Sequence, residues 1–388
     1  MFAFLFGYSV YAFNGDIVSY ADSYEEVCKY DYADYWYLLV HTYSSDRLAD
    51  YNANTVTTQA DIYALTLQFL LSRVTDNPRW FWGIVSVIYT YLVLKFILEA
   101  ASLLEGKSSK IQKIFFAALL LTVPFYVGVT GIRFWTALFL FMIYAIKFIK
   151  KGDIVYFFIA FSSVFIHYTF LVPVILLLIY RFVRLSRLLT YTLILVSVAF
   201  FSLTTATTSL NFIKNLTSNF DETRIDSITD NYTNVDIYSD VVDQNDVANW
   251  YVKLDGVGFL YFLIGIFLLE YSGLFKWKKN EFIERLEPFH VIIFCISLIT
   301  FNLGSIGRFC YIFYLVSLLR LAILAGLNPH NRILKTLGYI TLPLLIIHVL
   351  LSCRAGFYFV DPLLLVGNPV ILIFMQSSIS LSELIVGH

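Results

Sequence analysis

Long apolar runs recur along the chain, separated by short stretches that carry most of its charge. Many of the runs approach the ~20 residues that a helix needs to cross ~30 Å of hydrocarbon, and they lack the single-residue alternation of a membrane β-barrel. The pattern predicts an all-α, polytopic integral membrane protein with about twelve transmembrane helices in a single membrane domain, 1–388. After an N-terminal stub, the predicted crossings are 80–98, 111–128, 132–149, 154–167, 168–183, 188–208, 256–275, 288–303, 306–326, 333–351 and 362–380.

Two polar, acidic segments interrupt the apolar pattern and predict large loops. The first, 14–79, follows residues 1–13, which we interpret as the end of a first membrane helix. It contains an amphipathic stretch, 60–74, that suits a helix lying along a membrane surface. The second loop, 209–255, sets aromatic residues among aspartates, a mixture that suits either sugar rings or membrane interfaces.

Basic residues predict the orientation of the chain. They cluster at alternate connections, as the positive-inside rule requires if all of these connections face the cytoplasm. Both large loops are then extracytoplasmic. The clusters are Lys107, Lys110 and Lys113; Lys147, Lys150 and Lys151; Arg181, Arg184 and Arg187; Lys276, Lys278, Lys279 and Arg285; and Arg332 with Lys335.

The segment 154–183 is predicted to be a kinked or re-entrant helix pair. As one straight helix it would be about 45 Å long, which is too long for one crossing and short for two. A single crossing would also place the basic clusters before and after it on opposite sides of the membrane. We therefore predict two short crossings that turn at Ile166-His167-Tyr168-Thr169.

Composition narrows the class of protein further. The chain is 59% hydrophobic and 14% charged with a mean hydropathy of +0.73, values that exclude an ordinary soluble domain. Its four cysteines show neither metal nor disulfide spacing, and no P-loop or HExxH pattern occurs. We predict no metal, no cofactor and no nucleic-acid partner.

Several cationic side chains fall at one predicted depth near the outer headgroups. Arg133 begins the helix after Gly131, and His167 lies at the predicted outer turn. Arg308 begins a later helix, and Arg354 lies at a comparable level. One such residue could be explained by snorkelling, but several together indicate a site for an anionic group. Arginine matches phosphate oxygens in a bidentate way, which favours phosphate or pyrophosphate.

The first outer loop offers carboxylates that could act as a general base for a hydroxyl. Among them we favour Asp16, because Gly15 permits a tight turn beside it and it lies just beyond the first helix. Its other carboxylates include Asp22, Glu25, Glu26 and Asp61. Lys95, Glu99 and Glu270 lie near predicted cytoplasmic helix ends, and we interpret them as structural.

The order of these motifs resembles the EpsG family of Wzy-like bacterial polysaccharide polymerases. The resemblance spans most of the chain, although many members carry Gln-Ala where this chain has Phe134-Trp135. Its short motifs are Gly15-Asp16 with Tyr20, Gly131-Ile132-Arg133, His167-x-Thr169-x-Leu171-x-Pro173 and Gly307-Arg308 with Tyr311.

The resemblance implies a polymerase in the bacterial cytoplasmic membrane, with its site facing outward. It would join oligosaccharide repeats carried on undecaprenyl pyrophosphate among membrane lipids, alongside a flippase and a chain-length regulator. Alternatives are a multi-span transferase that uses a polyprenyl phosphate sugar donor, and a flippase or transporter of lipid-linked oligosaccharide. The implied roles are pyrophosphate binding by Arg133, Arg308 and Arg354; general base or phosphate orientation by His167, with Asp16 as the alternative base; and sugar contact by Tyr20, Trp135 and Tyr311.

Overall fold

The computed structural model of the chain is helical over the residues that it describes. Within them, the only strand-like pairing is an isolated antiparallel bridge between Val10 and Val360. The predicted second large loop, 209–255, lies outside the described residues apart from Tyr251 and Leu254. The structure describes residues 1–10, 15–40, 61–104, 109–124, 126–182, 186–203, 251, 254, 258–273, 276–301, 308–364 and 380–386.

For naming, the described helices are divided into two groups in chain order. The first group is α1 (Phe2–Tyr8), α2 (Gly15–Val27), α3 (Tyr32–Val40), α4 (Ile62–Ser72), α5 (Arg79–Ala101), α6 (Lys110–Leu121), α7 (Val127–Thr130) and α8 (Ile132–Lys151). The second group is α9 (Ile154–Phe161), α10 (Ser163–Ile166), α11 (Leu171–Phe182), α12 (Arg187–Leu203), α13 (Phe259–Tyr271), α14 (Glu281–Thr300), α15 (Cys310–Leu327), α16 (Arg332–Phe357) and α17 (Leu381–Val386).

Among the described helices, α5, α8, α15 and α16 are long and apolar enough to cross a membrane, by length and composition. Shorter apolar helices, α9 with α10, α11, α12 and α13, occupy other predicted crossings. The predicted class, an all-helical membrane protein, is confirmed. The number of crossings stays a prediction, and the last one, 362–380, lies mostly outside the described residues.

Two of these long helices form the centre of the bundle. In the most apolar 18-residue stretch of each helix, 78% of the residues of α8 and 89% of those of α15 are buried inside the protein. The corresponding share for α16 is only 22%. α8 packs against α5, α9 and α14, and α15 packs against α6 and α14. The helix that begins at the Gly131-Ile132-Arg133 motif is therefore largely enclosed by protein.

Connections that the charge pattern assigns to the cytoplasm contact one another at one end of the bundle. Lys147 on α8 lies 3.4 Å from the Glu99 carboxylate on α5. Arg285 on α14 donates to the Lys150 carbonyl oxygen at 2.9 Å. The ion pair of Glu99 agrees with the structural role that the sequence suggests for it.

The segment 154–183 breaks at the predicted turn. α10 ends at Ile166, His167 is extended (φ −151°, ψ 112°), and a 3-10 turn over Tyr168–Phe170 leads into α11. Because α9 packs against α11, the segment folds back on itself and is not one straight helix.

An arginine inside an apolar helix joins three helices near the same end. The side chain of Arg320 on α15 is 1% exposed and pairs with Glu270 on α13. It also donates to the Ile283 carbonyl oxygen on α14 at 3.4 Å. An unpaired charge at this depth would be strongly destabilising, so the pair fixes the relative positions of these helices.

Gly7 on α1 lies directly against the backbone of α5. A Cβ atom there would lie 2.2 Å from the Trp82 carbonyl oxygen and 2.6 Å from the Ser86 Cβ. We expect Gly7→Ala to lower the Tm of the purified protein, because overpacking costs about 1–3 kcal/mol. Gly265→Ala on α13 is the matched control, since nothing lies within 4 Å of the added Cβ. Equal Tm values for the two variants would contradict this packing.

Candidate functional site

One buried carboxylate connects three distant parts of the chain. The Asp61 side chain is fully buried, and its Oδ2 accepts a hydrogen bond from Arg133 Nη1 at 2.9 Å. The same oxygen lies 3.0 Å from His167 Nδ1, and Oδ1 accepts from the Tyr168 backbone N–H at 3.0 Å. We name this group of Asp61, Arg133 and His167 the Asp61 cluster.

Asp61 stands at the start of a helix, but its carboxylate does not cap that helix. It occupies the N-cap of α4 with extended backbone angles (φ −128°, ψ 132°). An aspartate at an N-cap usually bonds the first amides of its own helix. Asp61 makes no such side-chain bond, and its oxygens are turned toward α8 and the helix break instead.

Arg133 enters the cluster from the first turn of α8. The short helix α7 ends at Thr130, Gly131 separates it from α8, and the neighbours Ile132 and Phe134 are buried in the core. The Arg133 side chain stays 24% exposed while it pairs with the buried Asp61. The Arg133 side chain therefore reaches both the cluster and the protein surface.

His167 enters the cluster because the helix breaks there. Its side chain is 11% exposed. A carboxylate can only accept, so the bond to Asp61 places the proton of the neutral ring on Nδ1. Nε2 is then the ring nitrogen with a lone pair for a substrate proton.

Packing of α4 against α2, both within the predicted first loop, holds Asp61 in place. Gln68 on α4 is fully buried, donates to the Tyr20 carbonyl oxygen at 3.0 Å and accepts from the Ser23 hydroxyl at 3.1 Å. Burial raises the pKa of Tyr24 to about 12, so its hydroxyl stays protonated and donates to the Thr75 carbonyl oxygen at 2.7 Å. α4 therefore packs against α2. The amphipathic pattern of 60–74 alone does not specify this packing partner.

Arg308 lies beside the cluster without bonding Asp61 directly. It is exposed, and its guanidinium carbon is 5.9 Å from the centre of the Phe134 ring. That ring lies 6.0 Å from the His167 ring. Arg308 and His167 therefore both lie next to the Phe134 ring.

The predicted sugar-contact residues pack around this site. The Tyr20 ring lies 5.6 Å from the Arg133 guanidinium carbon and is 4% exposed. Trp135 is 6% exposed, and its ring meets that of Tyr311 edge to face at 4.6 Å. Tyr20 therefore packs beside Arg133 and Trp135 packs against Tyr311, and their contact with a sugar stays a prediction.

Two predicted residues are not joined to the cluster by the described contacts. Arg354 is exposed in the last turn of α16, and no described contact links it to Asp61, Arg133 or His167. Asp16 lies in α2, and its side chain is outside the described part of the chain. Its role as alternative base stays a prediction.

Asp61 is the functional candidate that the sequence did not single out. The available signal was its position immediately before the apolar run of α4, directly ahead of Ile62-Tyr63. That signal is equally typical of an ordinary helix cap, because Asp is a preferred N-cap residue.

The cluster combines a cation, a carboxylate and an imidazole at the edge of a buried core. A carboxylate that holds an imidazole by Nδ1 orients the ring and stabilises its protonated form. A neighbouring guanidinium can stabilise a leaving phosphate oxygen. Within the described residues, no group of three His, Cys, Asp or Glu side chains is arranged to hold a metal ion.

The fold and the cluster define a helical membrane protein with a buried charged site at one end of its bundle. The chain belongs to the EpsG family, whose family model matches residues 1–360. EpsG is a family of Wzy-like polysaccharide polymerases, so the family indicates a polymerase of polysaccharide biosynthesis. No curated protein and no solved structure matches the chain.

Proposed function

We propose that this protein joins oligosaccharide repeats carried on undecaprenyl pyrophosphate into a surface polysaccharide, at the outer face of the bacterial cytoplasmic membrane. The observation that supports it is the Asp61 cluster, in which one buried carboxylate holds both a candidate base and a candidate phosphate ligand. Membership of a polysaccharide polymerase family supplies the reaction class.

In the proposed reaction, a sugar hydroxyl of one lipid-linked repeat gives its proton to His167 Nε2. The hydroxyl oxygen forms a bond to the anomeric carbon of a second repeat, and the bond from that carbon to the pyrophosphate oxygen breaks. Undecaprenyl pyrophosphate leaves with the electron pair. Asp61 stabilises the imidazolium that forms, as the carboxylate does in hydrolase triads.

Arg133 is proposed to bind the departing pyrophosphate. Its positive charge is already held in place by Asp61 at 2.9 Å, so little reorganisation is needed as negative charge develops. Arg308, next to the Phe134 ring, is a second ligand for the same group. Arg354 is a more distant candidate, and Tyr311 is the half-buried aromatic residue available to a sugar ring.

The outer orientation is supported by the charge pattern. The Asp61 cluster contains the first turn of α8, whereas the basic residues Lys147 and Lys150 lie toward its other end. Basic connections face the cytoplasm by the positive-inside rule, which supports the proposal that the cluster lies at the outer side. A lipid-linked repeat made in the cytoplasm then requires a flippase to reach this site. A chain-length regulator is a further proposed partner.

The test is a polymer-ladder gel of a strain that lacks this protein. We expect the ladder to collapse to single repeats, and the wild-type gene to restore it. Continued synthesis of complete single repeats is essential to this expectation, because loss of one sugar within the repeat would instead indicate a transferase. Accumulation of complete repeats on the cytoplasmic side alone would indicate a flippase.

A further inference from the structure

A cavity of about 590 Å³ opens at the end of the bundle remote from the Asp61 cluster. It lies among α12, α13, α14 and the segment after α13. Arg285 on α14 bonds the Lys150 carbonyl oxygen in the last turn of α8, whereas Arg133 lies in the first turn of that helix. The cavity therefore lies toward the predicted cytoplasmic end.

The carboxylates inside the cavity are largely neutralised by neighbouring cations. Glu270 pairs with the buried Arg320, and Glu287 accepts from Lys279 Nζ at 2.7 Å. Glu287 also lies 3.8 Å from Arg320. Because these carboxylates are paired, the charged side chains at the rim of the cavity determine which ligand charge is favoured.

The rim carries two exposed cations and one exposed carboxylate. Arg187 and Lys276 both border the cavity, and neither pairs with a carboxylate among the described residues. Glu284 is the exposed carboxylate at the same rim. The excess of positive charge favours an anionic group.

Trp277 gives a second indication of a polar ligand. Its side chain borders the cavity and is 7% exposed. Its buried indole N–H has no hydrogen-bond acceptor among the described residues. A buried donor without an acceptor is destabilising, and a ligand oxygen at this position would satisfy it.

Apolar surface next to the cavity favours a lipid over a free ion. Val291 and Pro288 form part of the cavity wall. On α12, which carries Arg187, Leu188 is 78% exposed and Leu195 is 70% exposed. Exposed leucines on an apolar membrane helix offer a surface for acyl chains beside the polar cavity.

We propose that this cavity binds the headgroup of an anionic glycerophospholipid from the cytoplasmic leaflet. The phosphate lies between Arg187 and Lys276 and accepts from Trp277, and the acyl chains follow the leucines of α12. Basic pockets between membrane helices on the cytoplasmic side commonly bind such headgroups. This proposal does not depend on the polymerase activity.

The test is native mass spectrometry of the purified full chain titrated with phosphatidylglycerol. The variant Arg187→Gln/Lys276→Gln removes both rim cations. It is expected to weaken binding of the first lipid by at least about tenfold, because each basic residue near a membrane surface contributes to the attraction of anionic lipid. The control is Lys110→Gln/Lys113→Gln, which removes two exposed cations from the same predicted side but away from the cavity. It should change binding by less than about threefold.

Three outcomes would overturn the proposal. Equal weakening in the two double variants would show that the lipid responds to overall charge. Unchanged binding in the cavity variant would exclude Arg187 and Lys276. Displacement of the lipid by inorganic phosphate at equal concentration would assign the cavity to a free phosphate compound. Since both rim side chains are exposed, the variants should fold, and gel filtration checks this.

Discussion

Asp61→Asn is expected to abolish long polymer while the protein remains in the membrane. The amide keeps the shape of the carboxylate but loses its charge, so His167 no longer has an anionic partner at 3.0 Å and Arg133 loses its ion pair. Removing the carboxylate that orients a catalytic histidine lowers rates by up to about 10⁴-fold in hydrolase triads. We expect a loss of at least about 100-fold in polymer per unit of protein, read from ladder gels.

The matched control for this variant is Asp22→Asn. Asp22 is exposed on α2 in the same predicted loop, so its charge is lost without disturbing the cluster. It should give a normal ladder. Normal polymer from Asp61→Asn at normal protein level would remove Asp61 from the site.

A double variant separates a role in orienting His167 from a general loss of folding. If Asp61 acts through His167, then Asp61→Asn should cost little further activity in a His167→Ala background, because residues that act as a unit are non-additive. A full additional loss with unchanged protein level would mean that the two residues act independently.

Arg133→Lys is expected to lower polymer by about 10²-fold or more, the scale of losing one preorganised ligand of a developing oxyanion. Lysine keeps a positive charge beside Asp61, so the buried carboxylate is not left unpaired. It cannot reproduce the planar fork that guanidinium offers to phosphate oxygens. The measurement is the same ladder gel, normalised to the amount of inserted protein.

Arg332→Lys is the control for this substitution. Arg332 is exposed at the start of α16, in a connection predicted to be cytoplasmic, so the same chemical change should leave the polymer intact. A normal ladder from Arg133→Lys would mean that Arg133 serves only as the ion-pair partner of Asp61.

The helical class, the break at His167 and the position of Arg133 at the start of a helix could be predicted from the sequence, because each depends on a local pattern. Apolar runs and basic clusters are visible in the linear sequence. Ile166-His167-Tyr168-Thr169 interrupts a segment that is too long for one membrane crossing and short for two. The structure shows the break at this position.

The role of Asp61 could not be predicted in the same way. Its partners Arg133 and His167 lie 72 and 106 residues further along the chain. Nothing in the local pattern distinguishes a carboxylate that caps its own helix from one that turns toward distant elements. Gly15 favours Asp16 from the sequence, but an adjacent glycine says nothing about tertiary contacts.

Arg320 shows the opposite situation, in which a local signal was present. A charged residue in the middle of an apolar helix normally requires a partner. Glu270, near the end of another apolar run, supplies it, and both are almost fully buried. The sequence supports the existence of such a pair, but the choice of partner depends on how α13 and α15 pack.

The most direct test of the central claim uses the purified full chain in liposomes that contain lipid-linked repeats. The quantities measured are new glycosidic bonds and released polyprenyl carrier. If the Asp61 cluster catalyses polymerisation, wild type should release one undecaprenyl pyrophosphate for each bond formed, and Asp61→Asn should release almost none. Release of polyprenyl monophosphate, translocation without bond formation, or equal rates for the two proteins would contradict the claim.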